Sequence, residues 1–387
     1  MAATVLNGKF YAIGGENLSS VEIFDPQTGQ WSMGPALPSV VHHGNAITVG
    51  GRVFLIGGTN ASGQSIDQVL TFDSVTNQWS QKTPMPTARS GHKLVVLESE
   101  IWAIGGSAGT KVEIYNVETD SWVVGPSLST SRNWACAWVA NGRIYVAGGN
   151  YLSSIEVYDP ASNQWIAAGA LPENKHVAAT TVLGEKVYLV AGATSSSATS
   201  NKVFAADLPT PPMDLYFKDG NATAEAATAP SLDGNLTVTL NMLAPDALAK
   251  LDVNRTHAQS AGSVIAVPKD TAPPAGYSLY KRSDRNSTLV WEEKAPVSEG
   301  RLAFDGVEAM GGKIYFVGGE NGAGPKSLVE RYDPDTNQWE TLSPMSVPRT
   351  RLASSVLSDK LYVIGGLGLK SVEVFDSKTE QWSSGPE

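Results

Sequence analysis

Cationic side chains recur at one distance before a repeated pair of small residues in this 387-residue sequence. Sixteen residues before the first member of a pair stand, in four units, Arg89, Arg132, Lys175 and Arg349. In a further unit, Leu302 holds that place and Arg301 precedes it. Within three residues of that place, in these or an earlier unit, lie His42, His43, His92, Trp134, His176 and Arg351.

A ring of such side chains around one opening would attract an anionic ligand. Clustered cations recognise carboxylates, sulfates and acidic peptides, and the indole of Trp134 would stack on a sugar. We therefore predict ten ligand-binding residues: Arg89, Arg132, Lys175, Arg349, Arg351, His42, His43, His92, Trp134 and His176.

No residue spacing in the chain matches a catalytic or metal-binding motif. The five histidines include no H-x-H or HExxH spacing, and the single cysteine, Cys136, allows neither an intrachain disulfide nor a multi-cysteine metal site. The paired glycines end strands and do not open helices, so they are not phosphate loops, and no nucleophile elbow is visible. We predict no catalytic residue, no metal and no cofactor, and we interpret Cys136 as a small buried filler.

Self-similarity is the strongest signal that positions these residues. A pair of small residues occurs seven times, at Gly14-Gly15, Gly57-Gly58, Gly105-Gly106, Gly148-Gly149, Ala191-Gly192, Gly318-Gly319 and Gly365-Gly366. A tryptophan follows six of the pairs after 17 to 22 residues, at Trp31, Trp79, Trp122, Trp165, Trp339 and Trp382. Each unit has the pattern of four short strands, with Asn141-Gly142 forming a tight hairpin turn in the fourth unit. We expect each tryptophan to pack between neighbouring sheets.

This pattern of a glycine pair, a "VEIFD" or "VEVYDP" strand and a tryptophan resembles the kelch repeat. The resemblance implies an all-β fold, a β-propeller of four-stranded blades. It also implies a structural alternative for each cation, because an arginine at this place in kelch repeats bridges blades through backbone carbonyls or carboxylates such as Glu113, Glu156, Glu330 and Glu373. Some kelch propellers are copper oxidases with a Tyr–Cys crosslink, but Cys136 has no recognisable partner set here.

The fifth unit is interrupted, and its tryptophan is delayed to Trp291, 100 residues after Ala191. We interpret "KVFAADL" (202–208) as its third strand and "STLVWEEKAP" (287–296) as its fourth. The fold is then a seven-bladed kelch-type propeller with a small insertion in blade five: 1–208 and 289–387 form the blades, and 209–288 the insertion. In a rival alignment, "GYSLYKR" (276–282) is the third strand.

The insertion differs from the rest of the chain in composition. Residues 209–234 are rich in Pro, Gly, Ala and Thr and are typical of a loop, whereas 235–243 alternates like a strand and 244–254 has a helical pattern. The insertion is similar to connector segments of bacterial surface proteins. Long insertions in repeat folds often mark a binding face, although a tolerated loop expansion is the plainer interpretation.

Composition excludes several classes of partner. The formal net charge of −10 argues against nucleic acid, no apolar run is long enough to span a membrane, and the first residues do not form a signal peptide. We expect whole blades, a ring closed by face-to-face packing, and a fragment of a longer surface or secreted protein with an extracellular location.

The sequence favours a non-catalytic binding module that recognises a protein or an anionic glycan through the propeller mouth or the insertion. The lack of any motif with catalytic spacing supports this function, although a fold alone does not fix one. The alternative is an enzyme acting on an acidic saccharide, similar to a sialate mutarotase or a polysaccharide lyase, in which arginine would clamp a carboxylate and histidine would transfer a proton.

Overall fold

The computed structural model describes residues 2–15, 18–209, 213–218, 264–268, 277–283, 289–302, 306–369 and 371–384. Contacts divide the chain into two compact units. The larger contains Met1–Leu208 and Thr288–Glu387, and the smaller contains Pro209–Ser287.

The larger unit consists of seven four-stranded antiparallel sheets, each formed by strands in the order in which they follow along the chain. The first strands of successive blades lie side by side, and the first strand of blade seven lies beside that of blade one. The predicted all-β, seven-bladed kelch-type propeller is confirmed.

In blades one to four the strands run outward from the innermost position. Blade one contains Ala2–Leu6, Lys9–Gly15, Leu18–Asp25 and Gln30–Met33. Blade two contains Asn45–Val49, Arg52–Ile56, Val69–Asp73 and Gln78–Gln81. Blade three contains Lys93–Leu97, Glu100–Ile104, Val112–Asn116 and Ser121–Val124, with a 3-10 turn at Gly106–Ala108. Blade four contains Cys136–Ala140, Arg143–Ala147, Leu152–Asp159 and Gln164–Lys175.

Blades five to seven follow the same order. Blade five contains Ala179–Leu183, Lys186–Val190, Val203–Asp207 and Trp291–Lys294. Blade six contains Val307–Met310, Lys313–Val317, Val329–Asp333 and Gln338–Thr341. Blade seven contains Ala353–Leu357, Lys360–Ile364, Val372–Asp376 and Gln381–Ser384. Two extra hairpins follow second strands, Ala193–Ser195 with Ala198–Thr199 and Glu320–Asn321 with Gly324–Pro325.

Blade five is completed across the insertion. Val203–Asp207 pairs with Trp291–Lys294, and Ala206 lies opposite Trp291. The rival alignment is wrong, because Tyr277–Ser283 pairs with Met213–Lys218 in the smaller unit and not with a blade.

The recurring tryptophans join neighbouring blades. Six of the seven rings pack on an aromatic residue of their own blade, as Trp79 does on Phe72 at 5.3 Å between ring centroids, whereas Trp291 lies edge-on to Trp138 of blade four. The indole N–H then donates to a carbonyl of the preceding blade at 2.7–2.9 Å in five cases, Trp79 to Pro35, Trp122 to Thr83, Trp165 to Pro126, Trp339 to Ala295 and Trp382 to Ser343.

The ring closes by packing of blade seven against blade one. Tyr362 lies 5.0 Å from Phe10 and 4.8 Å from Phe24 between ring centroids, in a buried cluster that includes Ile364 and Val372. Each of these blades supplies its own four strands, so no strand is exchanged between the two ends.

The smaller unit contains one three-stranded sheet in which Met213–Lys218 lies between Val264–Pro268 and Tyr277–Ser283. The strand predicted at 235–243 and the helix predicted at 244–254 lie outside the described residues. Within the described part of the chain, no helix has the length and apolar character that a membrane span requires.

Candidate functional site

Five of the cations found by their spacing lie in the seams between blades. The carbonyl of each accepts a hydrogen bond from the second glycine of the preceding blade, at 2.8–3.0 Å. The side chain of each donates to the carbonyl of the first small residue of the following blade, at 2.6–3.3 Å. We call these residues the seam clamps: Arg89, Arg132, Lys175, Arg301 and Arg349.

The arginine clamps are fully buried and also bind a carboxylate on the third strand of the following blade. Arg89 lies 2.7 Å from Glu113, and Arg301 lies 2.7 Å from Glu330. The corresponding pairs of blades four and seven, Arg132 with Glu156 and Arg349 with Glu373, are at 3.0 Å. Burial lowers the pKa of each of the four guanidinium groups, and the facing carboxylate opposes that shift.

Blade five has a different clamp. Lys175 donates to the carbonyl of Ala191 at 2.6 Å and pairs with Glu173 of its own strand at 2.8 Å. The place of the third-strand glutamate is taken by Phe204, whose ring centroid lies 5.3 Å from the lysine nitrogen. Lysine and phenylalanine thus replace arginine and glutamate together, with a cation–π contact in place of the ion pair.

This geometry corresponds to the structural alternative considered for each cation. The side-chain nitrogens of Arg89, Arg132, Lys175 and Arg349 face inter-blade partners in the protein interior. Their assignment to ligand binding stays a prediction, and the function proposed below does not depend on them.

The other predicted residues surround the opening at the end of the propeller where the second strands finish. An outer cavity of about 510 Å³ is lined by His43, Trp134, His176 and Arg351. His42 lines an adjoining cavity of about 190 Å³ together with His43 and Arg351. An inner cavity of about 70 Å³ is lined by His43, His92, Trp134 and Arg351. We call this opening the mouth.

Trp134 reaches across blade three because Gly91 has no side chain. A Cβ atom placed on Gly91 would lie 3.1 Å from Cε2 of Trp134 and 2.1 Å from Oδ1 of Asn133. The indole therefore extends to blade two, where it meets His43 edge-on at 5.6 Å between ring centroids. On the other side of the mouth, Tyr151 packs on His176 at 4.4 Å.

The two extra hairpins of blades five and six line the outer cavity on one side. Ser195, Ser196 and Ser197 are exposed at the tip of the first, and Glu320 and Asn321 belong to the second. Both hairpins are held by hydrogen bonds to the carbonyl of Gly300, from Thr199 at 3.0 Å and from Asn321 at 3.3 Å.

His92 lies in the core beneath the mouth. It is 2% exposed, and neither ring nitrogen has a hydrogen-bond partner among the described residues. Leu352 holds the same place in blade seven, thirteen residues before the glycine pair. Burial, then the charges of Arg89 and Lys93, lower the pKa of His92 to about 3.

Replacing His92 with leucine is expected to stabilise the protein, and more so in acid. At neutral pH the gain should be about 1–3 kcal/mol, because two unpartnered ring nitrogens leave the core. Since the pKa of His92 is lower in the folded protein than in the unfolded chain, wild-type stability falls as the pH falls below about 6.5. At pH 5 the gain should therefore rise by a further ~2 kcal/mol.

Urea unfolding at pH 7.5 and pH 5 measures both effects. Leu352→His is the matched control, which is expected to lower the stability of the protein and to lower it further at pH 5. The prediction is contradicted if wild type and His92→Leu lose the same amount of stability when the pH falls from 7.5 to 5.

No cluster of three or more His, Cys, Asp or Glu side chains among the described residues has an arrangement that could hold a metal ion. Cys136 is buried, and its thiol donates to the carbonyl of Ala178 at 3.2 Å.

Sequence reasoning missed several residues of the mouth, among them Val177, Tyr151, Glu320 and Lys93. Val177 lines the outer and inner cavities, whereas Tyr151 and Glu320 line the outer one. Val177 lies fourteen residues before its small pair, as His43, Trp134 and Arg351 do before theirs, so aligning the units at that position would have found it. Tyr151 and Glu320 lie in second-to-third-strand connections, where the units have different lengths.

Comparison with known proteins agrees with the repeat pattern. A family model described as the KLHDC2/KLHL20/DRC7 Kelch-repeats domain matches residues 1–192. The Kelch motif matches residues 306–346 and 348–387. Together the two models match well over half of the chain.

The curated relatives match over short stretches. An F-box/kelch-repeat protein of Arabidopsis thaliana is 36% identical over 88 residues, 21% of this chain and 18% of that protein. Kelch-like protein 33 of Homo sapiens is 36% identical over 96 residues, 24% of this chain and 18% of that protein. The matched part of this chain therefore spans less than a fifth of either relative.

Two solved structures show the same fold at low sequence identity. A fungal alcohol oxidase of the AA5 family in complex with copper has a TM-score of 0.59 at 17% identity, covering 93% of this chain and 64% of that one. YjhT has a TM-score of 0.52 at 15% identity, covering 99% of this chain and 96% of that one. Seven units with a pair of small residues, seven four-stranded blades and the two family models together establish that this chain belongs to the kelch-repeat family.

Proposed function

We propose that this propeller is a non-catalytic binding module whose mouth binds an acidic segment of a partner protein. Kelch-repeat propellers are typically protein-interaction modules. A segment of extended chain or a tight loop fits a cavity of about 510 Å³.

The observation that carries the proposal is the charge at the mouth. Arg351 is exposed and lines all three cavities, and His43 beside it does the same. Lys93 adds a further cation at the inner cavity. Among the described residues, the one lining carboxylate is Glu320, so two cations, Arg351 and Lys93, stand against one anion at the mouth of a chain of net charge −10, and this local excess favours carboxylates over neutral ligands.

The enzymatic alternative draws less support from the geometry. An enzyme of this kind needs arginines in the mouth that hold the substrate carboxylate beside a histidine. Four of the predicted cations lie in the seams and not in the mouth. An anionic glycan remains the other class of ligand that these residues would attract, so it is one outcome of the test. The extracellular location and the larger surface protein remain predictions from sequence, and the insertion's part in binding falls largely outside the described residues.

Charge reversal at Arg351 tests the proposed function. Fifteen-residue peptides of graded Asp and Glu content would be measured by fluorescence anisotropy, alongside an array of sialylated and sulfated glycans. Acidic peptides should bind, and Arg351→Glu should weaken binding at least tenfold, about 1.4 kcal/mol, because attraction becomes repulsion. The matched control is Arg52→Glu, an exposed arginine at the start of a second strand, at the other end of the propeller, which should bind as wild type does.

Three outcomes would overturn the proposal: equal binding of neutral and acidic peptides, equal loss in both variants, or binding confined to the glycans. Affinity should also fall with rising salt, since exposed charges are screened.

A further inference from the structure

One backbone position at the mouth has the same unusual conformation in all five blades in which it is described. Fourteen residues before the first small residue of each pair, φ is positive: His43 (50°), Gly91 (63°), Trp134 (56°), Val177 (50°) and Arg351 (52°). The left-handed region suits glycine, yet glycine occurs only once in this set. We call the four non-glycine residues the collar.

The residue types of the collar are poorly suited to this conformation. Elsewhere in the described chain, left-handed non-glycine residues are almost all Asn, Asp, Ser or Glu, such as Asn77 and Asn163, and short polar side chains tolerate the left-handed region best. Val177 is β-branched, which makes a positive φ a genuine outlier. Strain of this kind persists where surrounding structure imposes it, and it concentrates at functional sites.

The collar also has a distinctive place in the mouth. All four of its side chains line both the outer cavity and the inner cavity. The inner cavity, about 70 Å³, is much smaller than the outer one, about 510 Å³. A ligand in either cavity would therefore lie against the collar.

We propose that the collar is the contact surface for the bound segment, and that Val177 and Trp134 select an apolar side chain next to an acidic one. Arg351 supplies the positive charge of this surface with the imidazole of His43 as a second polar group, and Val177 with the face of Trp134 supplies the apolar half. The inference rests on the proposed function and deepens it, since it adds a neighbouring apolar residue to the acidic one.

The proposal predicts opposite effects on stability and binding. Val177→Gly should raise the Tm by about 1–3 °C, because the strain at this residue is relieved. It should also weaken the binding of the acidic peptides described above at least fivefold. Val177→Thr keeps the shape and the strain but adds a hydroxyl, so binding should weaken with no rise in Tm. Ser99→Gly, a left-handed residue (φ 67°) in a first hairpin turn at the other end of the propeller, should raise the Tm and leave binding unchanged.

Peptide pairs complete the test. In each pair the residue beside the glutamate is leucine or alanine, and the leucine peptide should bind wild type at least fivefold more tightly but Val177→Gly about equally. Binding that depends on Arg351 but ignores Val177 and the leucine would overturn this inference and leave the proposed function standing. Absence of Arg351-dependent binding would overturn both, and an unchanged or lower Tm in Val177→Gly would refute the strain argument alone.

Discussion

Replacing Arg132 with methionine is expected to lower the free energy of unfolding by about 3–5 kcal/mol, the loss typical of breaking one side of a buried ion pair. The guanidinium donates to the carbonyls of Gly148 and Ser154 at 2.7 and 2.8 Å and to Glu156 at 3.0 Å. Methionine supplies no donor, so the buried carbonyl of Gly148 and the partly buried carbonyl of Ser154 lose a partner, and a buried carboxylate keeps its charge.

Chemical denaturation of the full chain measures this loss, and Lys9→Met is the matched control. Lys9 pairs with Asp25 at 2.8 Å, but its side chain is 45% exposed, so the loss of stability in this variant should be clearly smaller than in Arg132→Met. Similar losses in the two variants would show that the seam clamps do not stabilise the blade contacts. Adding Glu156→Leu to Arg132→Met should recover part of the loss, because the unpaired charge is removed.

Replacing Gly58 with alanine is expected to destabilise the protein by about 3 kcal/mol or more, through a steric clash added to an unfavourable φ. Gly58 has a φ of 105°, and a Cβ atom there would lie 2.3 Å from the carbonyl oxygen of His42 and 2.6 Å from the nitrogen of Gly44. Both neighbours are backbone atoms of the segment that leads into blade two, so they have little freedom to move.

The Gly8→Ala variant separates the steric clash from the unfavourable φ. The φ of Gly8 is 71°, and a Cβ atom would meet nothing within 4 Å, so Gly8→Ala carries only the conformational penalty, about 1 kcal/mol. Thermal unfolding of both variants should give a clearly larger fall in Tm for Gly58→Ala. Equal falls would mean that the second glycine is required for its φ and not for close approach of the backbone.

The blade count was predictable because glycine pairs and tryptophans recur along the chain and do not depend on distant contacts. The delayed tryptophan of blade five, Trp291, followed from the same spacing. Spacing alone could not decide whether an arginine faces a seam or the mouth, because residues that face the two sides stand close together in the same short segment. The backbone turns to the left-handed region two residues after the clamp, so Arg349 lies buried in a seam while Arg351 lies exposed at the mouth.

The burial of His92 and the place of Val177 could not be predicted from the sequence for a related reason. A histidine near other histidines resembles a ligand-binding group, whereas its partner in the alignment of blades, Leu352, belongs to the core. Val177 carries no chemistry of its own, and only its φ of 50° and its place between two cavities distinguish it.

The seam clamps affect how the protein unfolds. Each clamp is bonded to the preceding blade through its carbonyl and to the following blade through its side chain. The unit stabilised by a clamp therefore consists of parts of two neighbouring blades and does not coincide with one repeat of the sequence. Excising any one of blades three to six would cut two such units and leave two half-clamps. A linear array of repeats can fray from its ends, but this closed circle has no end from which to fray, and it should melt as one cooperative body.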